Sequence, residues 1–260
     1  MHGLGNDYLY VFSDVEPAEP EALSIKLSDR HFGAGSDGMI WILPSEAADF
    51  KMRIFNADGS EAEMCGNGIR CVGKYVYDKG HTRKTRLTVE TLSGIKSLEL
   101  AVENDRVKSV TVGMGKAVVG GRANVVIDGE KVEYTPVSMG NPHAVVFTDD
   151  AAHAPLTTLG AKMERAPAFP GGVNVEFVQV LAPDRLRMRV WERGSGITMA
   201  CGTGACASVA AAVAAGLCRS GGAVEVVLDG GSLYISVSPE NDVTMTGPAE
   251  TIYEGETVDD

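Results

Sequence analysis

Apolar residues alternate along the chain between strand-like and helix-like spacing, and the order of these modes occurs twice. Continuous apolar runs at 8–12 and 144–147 each follow a Gly-Asn turn and predict buried strands. Short helices are expected over 20–28 and 156–164. A turn then leads into strands at 38–43 and 174–180, and period-two alternation predicts strands at 51–55 and 186–191. After a polar loop, Ile69, Val72, Tyr75 and Val76 recur at helical spacing from Gly66 to about Lys79. The matching segment, Gly202 to about Gly216, is alanine-rich and apolar on nearly every face, the pattern of a buried helix. Hairpin-like strands are expected over 87–103, 107–114, 223–228, 232–237 and 243–246, and one more near 251–253 returning to the first half. A buried helix among many short strands predicts the α+β class, each half being a barrel-like mixed β-sheet wrapped around a central helix.

The repetition reaches single residues. Met52-Arg-Ile-Phe-Asn56-Ala-Asp58-Gly-Ser-Glu-Ala-Glu-Met-Cys65-Gly-Asn67-Gly68 aligns without a gap on Met188-Arg-Val-Trp-Glu192-Arg193-Gly-Ser-Gly-Ile-Thr-Met-Ala-Cys201-Gly-Thr203-Gly204 at an offset of 136 residues. Upstream, Gly5-Asn6-Asp-Tyr-Leu-Tyr-Val11-Phe12 aligns on Gly140-Asn141-Pro-His143-Ala-Val-Val146-Phe147 at an offset of 135. A repeat of this length predicts two pseudo-symmetric domains, 1–115, completed by 248–260, and 116–247, with the boundary in the glycine-rich stretch 113–121.

Composition removes several function classes. Acidic side chains exceed basic ones to give a net charge of −12, so no basic footprint suits nucleic acid or an anionic membrane surface. The longest wholly apolar run, Val209 to Cys218, is far short of the roughly 20 residues that a bilayer needs, and the opening Met-His-Gly-Leu-Gly-Asn-Asp is no signal peptide. The expected address is the cytoplasm. Five cysteines, an odd number with no C-x-x-C pair, argue against a disulfide framework and leave thiol chemistry.

Cys65 and Cys201 each precede a helix and are followed by Gly-x-Gly. At such a terminus the unpaired backbone N–H groups and the helix dipole favour an anion, and glycine lets a ligand approach the backbone. The same field lowers a thiol's pKa, so thiolate is open to either sulfur near neutral pH, and the sequence leaves open which one is ionised at rest. A thiolate on one side of an α-carbon and a thiol on the other is what inversion requires: one removes the proton and the other returns one on the opposite face. Most lone cysteines are small buried residues, and Cys71, Cys206 and Cys218 take that reading. The matched glycine frames set Cys65 and Cys201 apart. Zinc is disfavoured, because the six- and five-residue spacings to Cys71 and Cys206 do not bring two sulfurs to one metal. A Cys65–Cys201 disulfide would be an oxidised, inactive form.

The halves also differ. Asn56 aligns with Glu192, and Gly38 with Asn174, so an asymmetric ligand is expected. Glu192-Arg193 is either a solvated surface pair or an acceptor beside a bidentate carboxylate donor. His143, after Asn141-Pro142, is either a turn histidine or a group that tunes a thiol.

At His2-Gly-Leu-Gly-Asn6-Asp7, Arg53-Ile-Phe-Asn56-Ala-Asp58-Gly-Ser, Cys65-Gly-Asn67-Gly68-Ile-Arg70, Gly140-Asn141-Pro142-His143, Asn174-Val-Glu-Phe and Trp191-Glu192-Arg193-Gly with Ala200-Cys201-Gly-Thr203-Gly-Ala-Cys206, the chain resembles the diaminopimelate epimerases. The motifs run nearly end to end and in order. The resemblance implies a homodimer and a pyridoxal-phosphate-independent enzyme, with no cofactor and no metal, that converts LL- to meso-2,6-diaminopimelate in lysine and peptidoglycan synthesis. By the same resemblance, Cys65 and Cys201 are the catalytic acid/base pair, with Cys201 the acceptor from the LL isomer, and His143 and Glu192 tune them. Backbone groups of Gly66, Asn67, Gly202 and Thr203 hold the reacting carboxylate. Asn6, Asn56, Asn141, Asn174, Glu192 and Arg193 hold the amino groups and the distal carboxylate. Three features depart from the family pattern: Gly38 where some relatives have glutamine, Ile197 where an acidic residue is frequent, and a first strand expected to be short or truncated at its start.

Two rival functions keep the same residues. One is a cofactor-independent racemase of another amino acid, of histidine or proline type. The other is a non-catalytic amino-acid-binding protein, against which the paired thiols argue, since glycines alone would bind a carboxylate.

Overall fold

The computed structural model describes residues 1–257. Contacts divide the chain into two compact units, Met1–Thr111 joined by the chain from Pro248 onward, and Val112–Gly247. The division falls inside the strand Arg106–Lys116. Among the described residues no helix is long and apolar enough to cross a membrane.

In the first unit Leu9–Phe12 runs parallel to Gly38–Leu43, which pairs antiparallel with Phe50–Asn56. Phe50–Asn56 runs parallel to Arg86–Thr91, which turns back into Gly94–Glu103. Parallel neighbours need crossovers, and the helices Pro20–Ser28 and Gly66–Asp78 supply them. Gly38–Leu43 is buried at all six positions because each face of the strand meets a helix. Met39, Trp41 and Leu43 pack with Phe55, Leu23 and Leu27 on one face. Ile40, on the other, reaches Gly68 of the Gly66–Asp78 helix. That helix buries Ile69, Val72 and Val76 completely. A Cβ at Gly73 would lie 2.9 Å from both Leu98 and Leu100, so helix and sheet approach where only glycine fits.

The second unit follows the same plan. Pro142–Phe147 runs parallel to Asn174–Ala182, which pairs antiparallel with Arg185–Glu192, and this strand runs parallel to Ala223–Leu228. Gly231–Val237 and Asp242–Pro248 extend the sheet. The registers repeat as well: Leu9 opposite Met39 and Met39 opposite Phe55 in one unit correspond to Ala144 opposite Val175 and Val175 opposite Trp191 in the other. The helix Gly202–Ala214 is buried continuously from Gly204 to Ala212, as its all-round apolar pattern requires. The class is α+β.

Three local features differ from the sequence reading. The helix expected over 156–164 is a π-turn, Leu156–Gly160, followed by the α-helix Ala161–Glu164. Pro155 O accepts from both Leu159 N and Gly160 N, which widens the turn and lays Gly160 against Trp191. The strand expected near 251–253 is absent: the chain makes one bridge, between Glu250 and His2, and the other edge of His2–Gly3 is taken by Asn6–Asp7. Ile252 and Tyr253 are exposed there. The third is a hairpin absent from the sequence reading, Ala123–Ile127 with Glu130–Ser138. Asp128 and Gly129 form its two-residue loop at φ 52° and 85°, the left-handed pair that a tight hairpin demands.

Candidate functional site

Each repeat helix begins at its cysteine. Cys65 is the N-cap of Gly66–Asp78, in extended conformation at φ −132° and ψ 115°, and its sulfur accepts from Gly68 N at 3.3 Å. Cys201 caps Gly202–Ala214 at φ −108° and ψ 111°, with Gly204 N at 3.3 Å. The sulfur thus takes the place that a serine or aspartate oxygen occupies in an ordinary cap. Gly66 and Gly202, at the first helical position, let an anion approach the backbone of the helix start.

Around Cys65 the first unit supplies amides. The thiol donates to Asn6 Oδ1 at 3.3 Å, and Asn6 Nδ2 donates to Asp37 at 2.8 Å. Arg30 fixes Asp37 and Asp7 at 3.0 and 2.7 Å. A turn with Leu4 at φ 57° and Gly5 at φ 87° aims Asn6 at the sulfur. Asn56 accepts from Tyr8 Oη at 3.2 Å and donates to Ser60 at 3.0 Å. Asn67 is buried, and its Oδ1 accepts from Arg70 at 3.0 Å, so its side chain serves the helix. Gly38 stands at φ 155°, and a Cβ there would meet Phe55 O at 2.2 Å; the backbone path excludes any side chain at this position.

Around Cys201 the second unit supplies acids and an imidazole. The carboxylate of Glu192, which accepts from Thr198, faces the thiol and acts on its charge. Thr203 Oγ1 lies 3.6 Å from the sulfur and accepts from Asn141 Nδ2 at 3.2 Å. Asn141 Oδ1 is 3.0 Å from His143 Nε2, and His143 Nδ1 is 2.7 Å from Glu176 Oε1. His143 is a buried strand residue, not a turn histidine. A separate pair forms beside it: Asn174 Oδ1 accepts from Arg193 N at 2.9 Å, and Asn174 Nδ2 donates to Pro142 O at 3.0 Å. The Arg193 guanidinium is exposed and reaches Gly171 O at 3.3 Å.

The electrostatics distinguish Cys201 from an ordinary capping thiol. Burial pushes the Cys201 thiol well above its ordinary pKa, and the carboxylates of Glu192 and Glu176 push it further, against the hydrogen bonds from Thr203 and Gly204. Burial and the two carboxylates together outweigh the helix dipole and disfavour the thiolate. Glu192 is itself raised, by burial first and by Glu176, against its bonds to Thr198 and Cys201.

In the first unit, then, Cys65, Asn6, Gly66 and Asn67 share one helix terminus, and Asn56 lies in a polar group with Tyr8 and Ser60. In the second, Cys201, Gly202, Thr203, Glu192, Asn141 and His143 are linked, and Asn174 with Arg193 forms the adjacent pair. Three contributors escaped the sequence reading: Glu176, Thr198 and the Arg30–Asp37 clamp. Glu176 had a signal, the one charged residue of the strand Asn174–Ala182.

The family model described as Diaminopimelate epimerase matches residues 1–120 and 135–252. A diaminopimelate epimerase of Acetivibrio thermocellus is 51% identical over 98% of this chain and 96% of its own length. One of Parabacteroides distasonis is 52% identical over 98% and 95%. Among solved structures, a PhzF-family phenazine biosynthesis protein from Enterococcus faecalis superposes with TM-score 0.72 at 14% identity, covering 96% of this chain and 91% of that one. A hydroxyproline epimerase from Agrobacterium vitis does so with TM-score 0.69 at 18% identity, covering 97% and 89%. At such identities these two likenesses establish the fold alone. By the family match and the two half-identical relatives, the chain belongs to the diaminopimelate epimerase family of isomerases.

Proposed function

We propose that this protein interconverts LL- and meso-2,6-diaminopimelate without a cofactor, using Cys65 and Cys201 as acid and base. The observation that carries the reading is the duplicated cap, a cysteine sulfur held by the third backbone N–H of a Gly-x-Gly helix start in both repeats. For the LL isomer, Cys201 gives its proton to Glu192 and, as thiolate, takes the α-proton; Cys65 delivers its own proton to the opposite face. One C–H bond breaks and one forms, so the product differs only in configuration. Glu192 suits the first step because burial has raised its basicity. The substrate's α-ammonium, arriving beside Cys201, favours the thiolate that the resting site disfavours. The N–H groups of Gly66, Asn67, Gly202 and Thr203 hold the α-carboxylate, which stabilises the carbanion as charge spreads onto it. Asn6, Asn56, Asn141, Asn174 and Arg193 hold the ammonium groups and the distal carboxylate, and His143 tunes the thiols. On this reading the protein acts in the cytoplasm, as a homodimer, in lysine and peptidoglycan synthesis.

The test is proton exchange in deuterated buffer with LL-diaminopimelate and reduced protein, followed by NMR and chiral chromatography. Deuterium entering one α-carbon as the meso isomer accumulates is the expected result. Exchange with histidine or proline instead would move the protein to another racemase, and exchange with no amino acid would leave a binding protein.

A further inference from the structure

Glu176 occupies a place whose twin in the other repeat shows what the fold itself requires. Alignment of the registers puts Glu176 where the first unit has Ile40, and His143 where it has Tyr8. Both Ile40 and Glu176 are wholly buried, and both lie under the third residue of the repeat helix. A Cβ at Gly68 would be 2.6 Å from Ile40 Cδ1, and one at Gly204 would be 2.8 Å from Glu176 Oε1. The same slot is thus filled by hydrocarbon in one half and by a carboxylate in the other. Packing does not explain the carboxylate, and among the described residues its Oε2 is a buried oxygen without a hydrogen-bond partner. Such a group is costly to keep and calls for an explanation beyond packing.

Its bonded oxygen leads toward the thiol. Glu176 Oε1 lies 2.7 Å from His143 Nδ1, which fixes the ring's orientation and turns Nε2 to Asn141 Oδ1 at 3.0 Å. Asn141 Nδ2 donates to Thr203 Oγ1 at 3.2 Å, and that hydroxyl lies 3.6 Å from Cys201 Sγ. The ionisable groups facing this chain of contacts are Glu192, from the neighbouring strand, and Cys201, from the helix start. In the first unit the residue in the place of His143 makes a different bond: Tyr8 Oη donates to Asn56 Oδ1 at 3.2 Å.

We propose that Glu176 is a positioning residue for the reaction: through His143, Asn141 and Thr203 it sets the geometry and charge around Cys201, and so makes the two thiols of a duplicated site inequivalent. This rests on the epimerase reading above. A carboxylate behind a histidine fixes which ring nitrogen carries the proton, and loss of such an outer partner at metal-bound histidines lowers activity by roughly 10–100-fold.

Two variants test it beside the wild-type protein. Glu176→Ile rebuilds the twin slot, and Glu176→Gln keeps the shape without the charge. Folding is followed by circular dichroism, the His143 ring N–H by its downfield proton resonance, and epimerisation by kcat and KM across pH. The expected result is a folded Glu176→Ile protein that has lost the downfield resonance. Its kcat should fall by roughly 10–100-fold, its pH–kcat profile should be displaced, and Glu176→Gln should lie between it and wild type. Wild-type kcat with an unmoved pH profile in a folded Glu176→Ile protein overturns the proposal. If that protein does not fold, an unmoved profile in Glu176→Gln overturns it equally. Absence of α-proton exchange by the unsubstituted protein overturns the epimerase reading itself, and is recognised before either variant is made.

Discussion

Cys65 and Cys201 share a backbone geometry and differ in what surrounds the sulfur. Asn6 beside Cys65 is a neutral amide, whereas Glu192 and Glu176 face Cys201 with carboxylates. Replacing either cysteine by alanine removes one atom from a capped helix start, at a cost to stability of about 1 kcal/mol. Loss of one partner of a two-base exchange should lower kcat by about 10²–10⁴-fold. Steady-state rates and thermal midpoints of C65A and C201A check both halves of this statement, and normal turnover by either variant would refute the two-thiol mechanism. The raised pKa of Cys201 has a further consequence for stability. In the unfolded chain this thiol ionises at its ordinary pKa, but in the native chain it holds its proton to higher pH, so between the two values the native state binds more protons. Stability therefore falls as pH rises above the ordinary thiol pKa. Urea unfolding at pH 8 and pH 10 should show this alkaline decline in the wild-type protein and a smaller one in C201A. Equal declines would mean that the buried thiol titrates as it does in water.

The helix start is where residue chemistry becomes architecture, and its glycines are held by different neighbours in the two units. In an exposed helix, replacing glycine by alanine gains up to about 1 kcal/mol. At Gly68 that gain is opposed by a Cβ 2.6 Å from Ile40 Cδ1, and overpacking a buried site costs about 1–3 kcal/mol. G68A should therefore be destabilised. At Gly204 the new methyl would meet Glu176 Oε1 at 2.8 Å and Cys201 Sγ at 3.2 Å, the groups assigned to proton transfer and its positioning. G204A should thus lose more activity than G68A for the same loss of stability, a comparison made by plotting kcat against unfolding free energy for both. Much of this level was legible in the sequence. The Gly38–Leu43 strand and the Pro20–Ser28 helix fall at their expected bounds, and the gapless repeat located both helix starts because cysteine and glycine mark them. The π-turn at Leu156–Gly160 was not legible, since it depends on Gly160 lying against Trp191, a residue distant in sequence. Nor was the state of Cys201, because a dipole can be read from local sequence but two carboxylates converging from separate strands cannot. The Asp128-Gly129 loop was legible in principle: its dipeptide is a strong hairpin signal.

At the scale of the whole molecule, the first unit is built from two ends of the chain, and one side chain joins them. Arg70 is fully buried. Its guanidinium donates to Gly66 O at 3.0 Å, to Asn67 Oδ1 at 3.0 Å and, from Nε, to Pro248 O at 3.1 Å. Gly3 passes so close that a Cβ there would lie 2.9 Å from Arg70 Nη2. The opening hairpin, the first turn of the Cys65 helix and the chain after Gly247 therefore converge on one cation. A bridge between His2 and Glu250, with both N–H···O distances 2.9 Å, closes the same junction. Replacing Arg70 by methionine fills most of the volume but takes the side-chain donor from Asn67 Oδ1 and Pro248 O, while Gly66 O keeps the helical N–H of residue 70. At about 1–3 kcal/mol for each buried group left unsatisfied, offset in part by no longer burying a charge, the net loss should be about 3 kcal/mol. Because the acceptors Gly66 and Asn67 form the helix start assigned to the substrate carboxylate, KM should rise along with the loss of stability. Hydrogen exchange followed by mass spectrometry should show faster exchange in Gly66–Asp78 and in the opening hairpin. A chain ending at Gly247 should reproduce that pattern, since it removes both Pro248 O and the partner of His2. Wild-type exchange of Gly66–Asp78 in R70M would show that the helix is held by its apolar face alone, and that the two ends of the chain meet at Arg70 without depending on it.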